Sequence, residues 1–152
     1  MRDFIRFVYP VYSVTVNYNL TVEKMVTVGS YDYANGNITS EHFLVQGQGK
    51  QEKEIILFHF DRLISSEEAI QEMDEVGYRP AEPEEILALG AGHPDLQREF
   101  TIVGLGSPWQ YPVDGDRCAI CLWGRGSGGR GLGLDGFEGD WDRVYRFATV
   151  CK

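Results

Sequence analysis

Long apolar runs are missing from this chain: no stretch approaches the roughly 18 residues that a membrane span needs. The apolar N-terminus is interrupted by Arg2, Asp3 and Arg6. It alternates like a strand and no small-residue cleavage site follows, so a secretory signal is not expected. Cysteine is scarce and odd in number, with three in 152 residues, which excludes a complete disulfide framework. Together these absences point to a reducing, cytoplasmic setting, or to a phage or mobile-element particle assembled there. An excess of positive charge is missing too. The net charge is −9, and counterion release from a phosphate backbone needs a basic surface, so direct nucleic-acid binding is not expected.

What is present is an ordinary globular composition, of a size that buries a core without staples. The acid is concentrated. Residues 51–100 carry 4 Lys/Arg against 13 Asp/Glu, which is the whole of the excess. It falls on two expected helices and reads as a solvated face, or as an acidic surface over residues 67–85 that docks a basic partner as an inhibitor or nucleic-acid mimic would.

Residues 4–18 alternate like a strand. Ile5, Phe7, Tyr9 and Val11 are odd, whereas Tyr12, Val14, Val16 and Tyr18 are even. A flip in a period-two pattern predicts a bulge, a bend or two strands, and Pro10 marks an edge or a break. Such an arm closes a sheet or pairs with a second subunit, making a homo-oligomer. Thr21 can cap a short helix ending at Gly29, and Asn35-Gly36-Asn37 signals a turn. Ile55–Phe60 reads as a central strand. Ser65 and Glu68 have capping-box spacing ahead of a helix with Ala69, Ile70, Met73 and Val76 as its stripe. Pro83 suits the first turn of the next helix, with Gly90 ending it, and Pro94 can start one more turn. Strands are expected at Thr101–Leu105, Cys118–Trp123, Leu132–Leu134 and Val144–Cys151, separated by glycine-rich loops.

This order resembles a C-type-lectin-like domain of bacterial or phage type. Ile55–Phe60 resembles its opening strand and Ser66–Val76 its first helix. Gly77-Tyr78-Arg79-Pro80-Ala81-Glu82-Pro83-Glu84-Glu85 resembles the Arg-Leu-Pro-Thr-Glu-Ala-Glu stretch of formylglycine-generating enzymes. Ile102-Val103-Gly104-Leu105 is similar to the Trp-Ile-Gly-Leu core strand, and Trp141-Asp142 to the Trp-Asn-Asp loop. Tyr145-Arg146-Phe147 resembles the Gly-Phe-Arg ending of bacterial members. Small uncharacterised bacterial proteins share the Gly-Tyr-Arg-Pro and Tyr-Arg-Phe signatures. The cystine pairs of animal lectins, their Glu-Pro-Asn or Gln-Pro-Asp sugar motif and the catalytic cysteine surroundings of the oxidases are absent. The resemblance therefore implies a fold, without sugar binding or oxidase chemistry. It implies an α+β class with two helices beside a small antiparallel sheet and a glycine-rich loop region. Residues 51–152 form that region; residues 1–50 add an N-terminal β arm and short helix to the same domain.

Several constellations invite a chemical reading. Cys118-Ala-Ile-Cys121 has redox or half-zinc spacing, but on a strand the two thiols face opposite sides, and structural cysteines are expected. Gly124–Gly129 matches a dinucleotide fingerprint, yet no helix opens after it to supply the dipole. Asp135, Glu138, Asp140 and Asp142 are carboxylates of the kind calcium takes, or solvated turn acids. His59 and Asp61 share a strand face, and with the acidic loop they would centre an enzyme of unknown class. No nucleophile motif accompanies them, and neither a catalytic residue, a metal nor a cofactor is assigned. Aromatics crowd the second half of the chain, and rigid rings bind at low entropic cost. The expected function is a non-catalytic binding module for a protein or small ligand. Its face is the loop surface within residues 107–142, and its contacts are Trp109, Tyr111, Arg125, Arg130 and Phe137.

Overall fold

A computed structural model describes residues 9–152. Ile5 and Phe7, the start of the expected arm, lie outside the described residues. The first half comprises β1 (Tyr12–Asn17), α1 (Val22–Gly29), β2 (Tyr33–Ala34), β3 (Lys50–Phe58), β4 (Ile64–Ser65), α2 (Ser66–Glu75) and β5 (Tyr78–Pro80). The second comprises α3 (Pro83–Gly92), α4 (Leu96–Glu99), β6 (Thr101–Gln110), β7 (Arg117–Gly124), β8 (Arg130–Gly136), β9 (Asp140–Trp141) and β10 (Tyr145–Cys151).

The α+β arrangement with a small antiparallel sheet is corrected by this topology. Among the described residues, one eight-stranded mixed sheet runs in the order β1-β3-β10-β6-β7-β8-β2, with β5 also on β10, and four short helices accompany it. β10 pairs antiparallel with β3 and parallel with β6, so the expected 55–60 and Val144–Cys151 strands lie side by side (Phe147 opposite Phe58, Val150 opposite Ile55). The difference lies in longer strands between residues 101 and 136: Gly106, Gly124, Gly131 and Gly136, outside the expected strands, are strand positions. A Cβ on Gly131 would sit 2.1 Å from the Trp123 ring, so this glycine lets the indole lie flat across β8.

Each sheet face has its own core. Val14, Val16, Ile55, Ile102, Ile120, Leu122 and Val150 face α1 and α3. Ile56, Val103, Cys121 and Phe147 face the α2 side, with Ala69, Met73, Phe137 and Trp141. This two-faced burial also accounts for the parity flip near Pro10. Tyr9 stacks on Phe58 and Val11 joins the α2-side core, while Val14 and Val16 join the other. At the flip, the buried side of the chain changes over. Each large aliphatic chain so buried contributes about 1.5–3 kcal/mol.

The helix starts follow local chemistry. Thr21 accepts from the Lys24 amide, and Ser65 and Glu68 form both bonds of a capping box. Pro83 opens α3. The Asn35–Ile38 turn closes with Ile38 N–H donating to Asn35 O.

Candidate functional site

The α3 N-terminus is clamped between two strands. Ala81 N–H donates to Ala148 O of β10, and Gly106 N–H of β6 donates to Ala81 O. A side chain on Gly106 would collide with that carbonyl at 2.6 Å, so glycine is required there. The clamp fixes three carboxylates. Glu85, 1% exposed, takes two 2.8 Å bonds from the Arg79 guanidinium and one from the Glu82 amide. Glu82 accepts from Ser107 Oγ at 2.6 Å. Glu84 is 7% exposed, and among the described residues its carboxylate is bonded only by its own amide. Burial pushes its pKa up to about 7. The negative charges of Glu85 and Glu82 add to the rise, and Arg79 opposes it.

Opposite these acids, β6 is irregular. Its register against β7 shifts between Gly104 and Trp109, and Ser107 sits at φ 49° in the left-handed region. A non-glycine residue held there costs on the order of 1–3 kcal/mol, and such positions cluster where a side chain has been re-aimed for use. Here the bulge turns Ser107 to Glu82 and carries Trp109 under His42. The two rings stack at 3.9 Å and 12°, and Tyr111 leans on the indole at 5.4 Å. His42 Nδ1 lies 2.8 Å from Asn37 O; a carbonyl only accepts, so Nδ1 carries the proton and Nε2 is the acceptor nitrogen in the neutral ring.

Between acids and bulge lies a cavity of about 490 Å³, lined by His42, Gln46, Glu82, Glu84, Ser107 and Pro108 with Leu44. Its chemistry is that of an acceptor site. Glu82, Glu84 and the His42 ring line it together, an environment suited to a ligand that donates hydrogen bonds or carries positive charge.

The expected contact residues separate. Trp109 and Tyr111 do not line this cavity; Trp109 lies behind His42, which does, and Tyr111 leans on Trp109. Arg125 is exposed at the β7–β8 hairpin, over the Trp123 ring at 5.4 Å. Arg130 is 4% exposed, and its guanidinium spends its donors on Pro94 O, Gly29 O, Ser30 O, Gly90 O and Gln97 Oε1. It neutralises the C-terminal carbonyls of α1 and α3 and has no donor left for a ligand. Phe137 is 4% exposed in the α2-side core, with the Arg117 guanidinium over its ring.

The other constellations are also dispersed. His59 Nε2 meets Arg143 O at 2.6 Å, Asp61 accepts from Arg143 Nε, and neither lines any of the four main cavities. Asp135 accepts from both Cys121 Sγ and Tyr145 OH, while Glu138 holds Arg117. Among the described residues no group of three or more His, Cys, Asp or Glu side chains is placed to hold a metal ion. All three cysteines carry thiols rather than disulfides. Cys121 lies on the α2-side core, and Cys118 is opposite Trp109. The Gly124–Gly129 segment is a hairpin closed by Arg125 N–H to Gly129 O, with no helix after it.

Sequence reasoning named none of His42, Glu82, Glu84 and Ser107 as a contact residue, although Ser107 lies in the expected 107–142 face and both glutamates in the acidic 67–85 stretch. The Glu82-Pro83-Glu84-Glu85 string was visible, but nothing in it says which acid is left without a partner. No family model, no curated protein and no solved structure matches the chain. The comparisons therefore add nothing to the C-type-lectin-like resemblance and take nothing from it. No helix among the described residues is long and apolar enough to cross a membrane.

Proposed function

We propose that the chain is a non-catalytic recognition module whose ligand is a small molecule rich in hydrogen-bond donors or positive charge. The observation that carries this reading is Glu84: a residue 7% exposed, its carboxylate bonded by no other described residue, on the wall of a 490 Å³ cavity. A carboxylate largely withdrawn from water without a partner is costly, and a ligand donor entering the cavity offsets that cost. The strained Ser107 and the His42–Trp109 stack support the same location. The site uses Ser107 and Pro108 of the expected loop face and adds α3 and the 42–46 segment. It thus draws on the acidic stretch 67–85 through Glu82 and Glu84. Three thiols, one of them exposed, suit a reducing compartment, and the cytoplasm or a particle assembled in it is the proposed location.

The test is an amide-shift screen of small amines and polyhydroxylated compounds by two-dimensional NMR. Ligands should move the His42, Gln46 and Ser107 amides, and Glu84→Gln with Trp109→Ala should abolish those shifts. Hits that gather instead at Arg125 or along α2 would reject the assignment.

A further inference from the structure

Glu84 lines a second cavity as well. A groove of about 670 Å³ runs between β1, α1 and α3. Its walls include Val14, Val16, Met25, Leu87, Ala88 and Ala91, and Val28, 59% exposed, lies along it. The β1 edge that borders the groove does not invite another strand. Ser13 O is already met by His93 Nε2 at 2.8 Å, and Asn17 O by the Leu20 amide. With those carbonyls taken, backbone addition along β1 would keep few bonds. The groove therefore takes side-chain-like apolar matter rather than a peptide strand. Its charged lining residues are Glu84 and Lys50. Lys50 is exposed, and no ion pair joins it to Glu84 among the described residues. A largely apolar trough with a carboxylate that no other described residue bonds is complementary to a molecule with an apolar tail and a cationic head.

We propose that the ligand is an amphiphilic ammonium compound, its alkyl tail along the β1–α1–α3 groove and its ammonium on Glu84 at the junction with the His42–Ser107 cavity. This deepens the recognition reading and rests on it, because Glu84 is the residue that both cavities share. The ammonium donates to the carboxylate, while each buried methylene adds about 0.8 kcal/mol, roughly fourfold in affinity. Tail length is thus a readout independent of charge.

The test uses four probes on the intact chain: hexylammonium, ethylammonium, hexanol and hexanoate, followed by amide shifts and calorimetry. Hexylammonium should bind at least tenfold more tightly than the other three and move the Val16, Met25 and Ala88 amides. Glu84→Gln should erase its advantage over hexanol. Equal binding of hexanol and hexylammonium to the wild type would overturn the anchoring by Glu84. Shifts confined to His42, Gln46 and Ser107, with no gain from ethyl to hexyl, would overturn the groove and leave the recognition reading standing. If neither ammonium moves either set of amides, both readings fall.

Discussion

Arg79 holds Glu85 through two parallel 2.8 Å bonds, while the adjacent Glu84 is held by no other described residue. Two acids on one helical turn, both buried, have opposite electrostatic fates. The guanidinium fork fits a carboxylate edge to edge, and the hydrogen bonds to Glu85 hold Arg79 further towards its charged form. Lys53 approaches the same carboxylate at 4.0 Å.

Removing the satisfied acid should therefore be destabilising. Glu85→Ala strands the Arg79 guanidinium, whose side chain is 31% exposed, and opens the turn at the Glu82 amide. The expected loss is about 3 kcal/mol, at the low end for a broken buried pair because Arg79 keeps some water. Urea unfolding measures it. A loss under 1 kcal/mol would mean that the pair is a surface contact in solution.

Removing the unsatisfied acid should do the opposite, and only above a certain pH. Glu84 has a folded pKa of about 7, raised above its unfolded value. The neutral form is the one the fold prefers, so its contribution is fully present below pH ~4.5 and is lost as pH rises through about 7. Burial drives the rise, with Glu85 and Glu82 adding to it, while its own amide and Arg79 resist it. Glu84→Gln should be more stable than wild type at pH 8, by up to ~3 kcal/mol, and the two should converge towards pH 4.5. Parallel stability curves across that range would show that Glu84 is solvated.

Arg130 links elements that are distant in sequence: its guanidinium bonds Gly29 of α1 and Gly90 of α3 at 2.6 Å each. Its planar fork serves several carbonyls at once, which an ammonium cannot reproduce. Arg130→Lys should cost about 2 kcal/mol and Arg130→Ala about 4 kcal/mol, through carbonyls left without donors. Denaturant midpoints report both. A lysine variant as stable as wild type would show that charge alone suffices there.

Local signals were legible in the sequence, and long-range ones were not. Thr21, Ser65 with Glu68, and Pro83 announce helix starts because capping is a bond between near neighbours. The β3 and β10 strands were legible because both segments are apolar runs. The width of the sheet was hidden by glycine. Gly131 looks like a loop residue until Trp123 is laid over it, and that contact crosses strands. The site was hidden for a related reason. Trp109 was found because aromatics stand out. Arg130 looked like a loop arginine because the carbonyls it bonds come from residues 29 to 97. Glu84 looked like any solvated helical acid, since amphipathic spacing does not reveal that α3 is packed on several sides.

The thiols allow a test of strand order around β7. Cys121 is 1% exposed and donates to Asp135 Oδ2 at 3.1 Å, and burial pushes its thiol well up. Cys118 is half-buried and also raised, by burial first and then by the acids around it. Cys151 is exposed at the end of β10. The thiolate is the reactive species, so exposure and a low pKa together set the rate of attack on an aromatic disulfide. One thiol per chain should react fast, and Cys151→Ser should remove that phase. Cys118 should follow about tenfold more slowly or worse. Cys121 should react only as fast as the β6–β7–β8 core opens, so its rate should rise with urea along with global unfolding. If Cys121 is labelled as fast as Cys151 in native buffer, β7 is not locked between its neighbours, and the two-faced core described above fails at its centre.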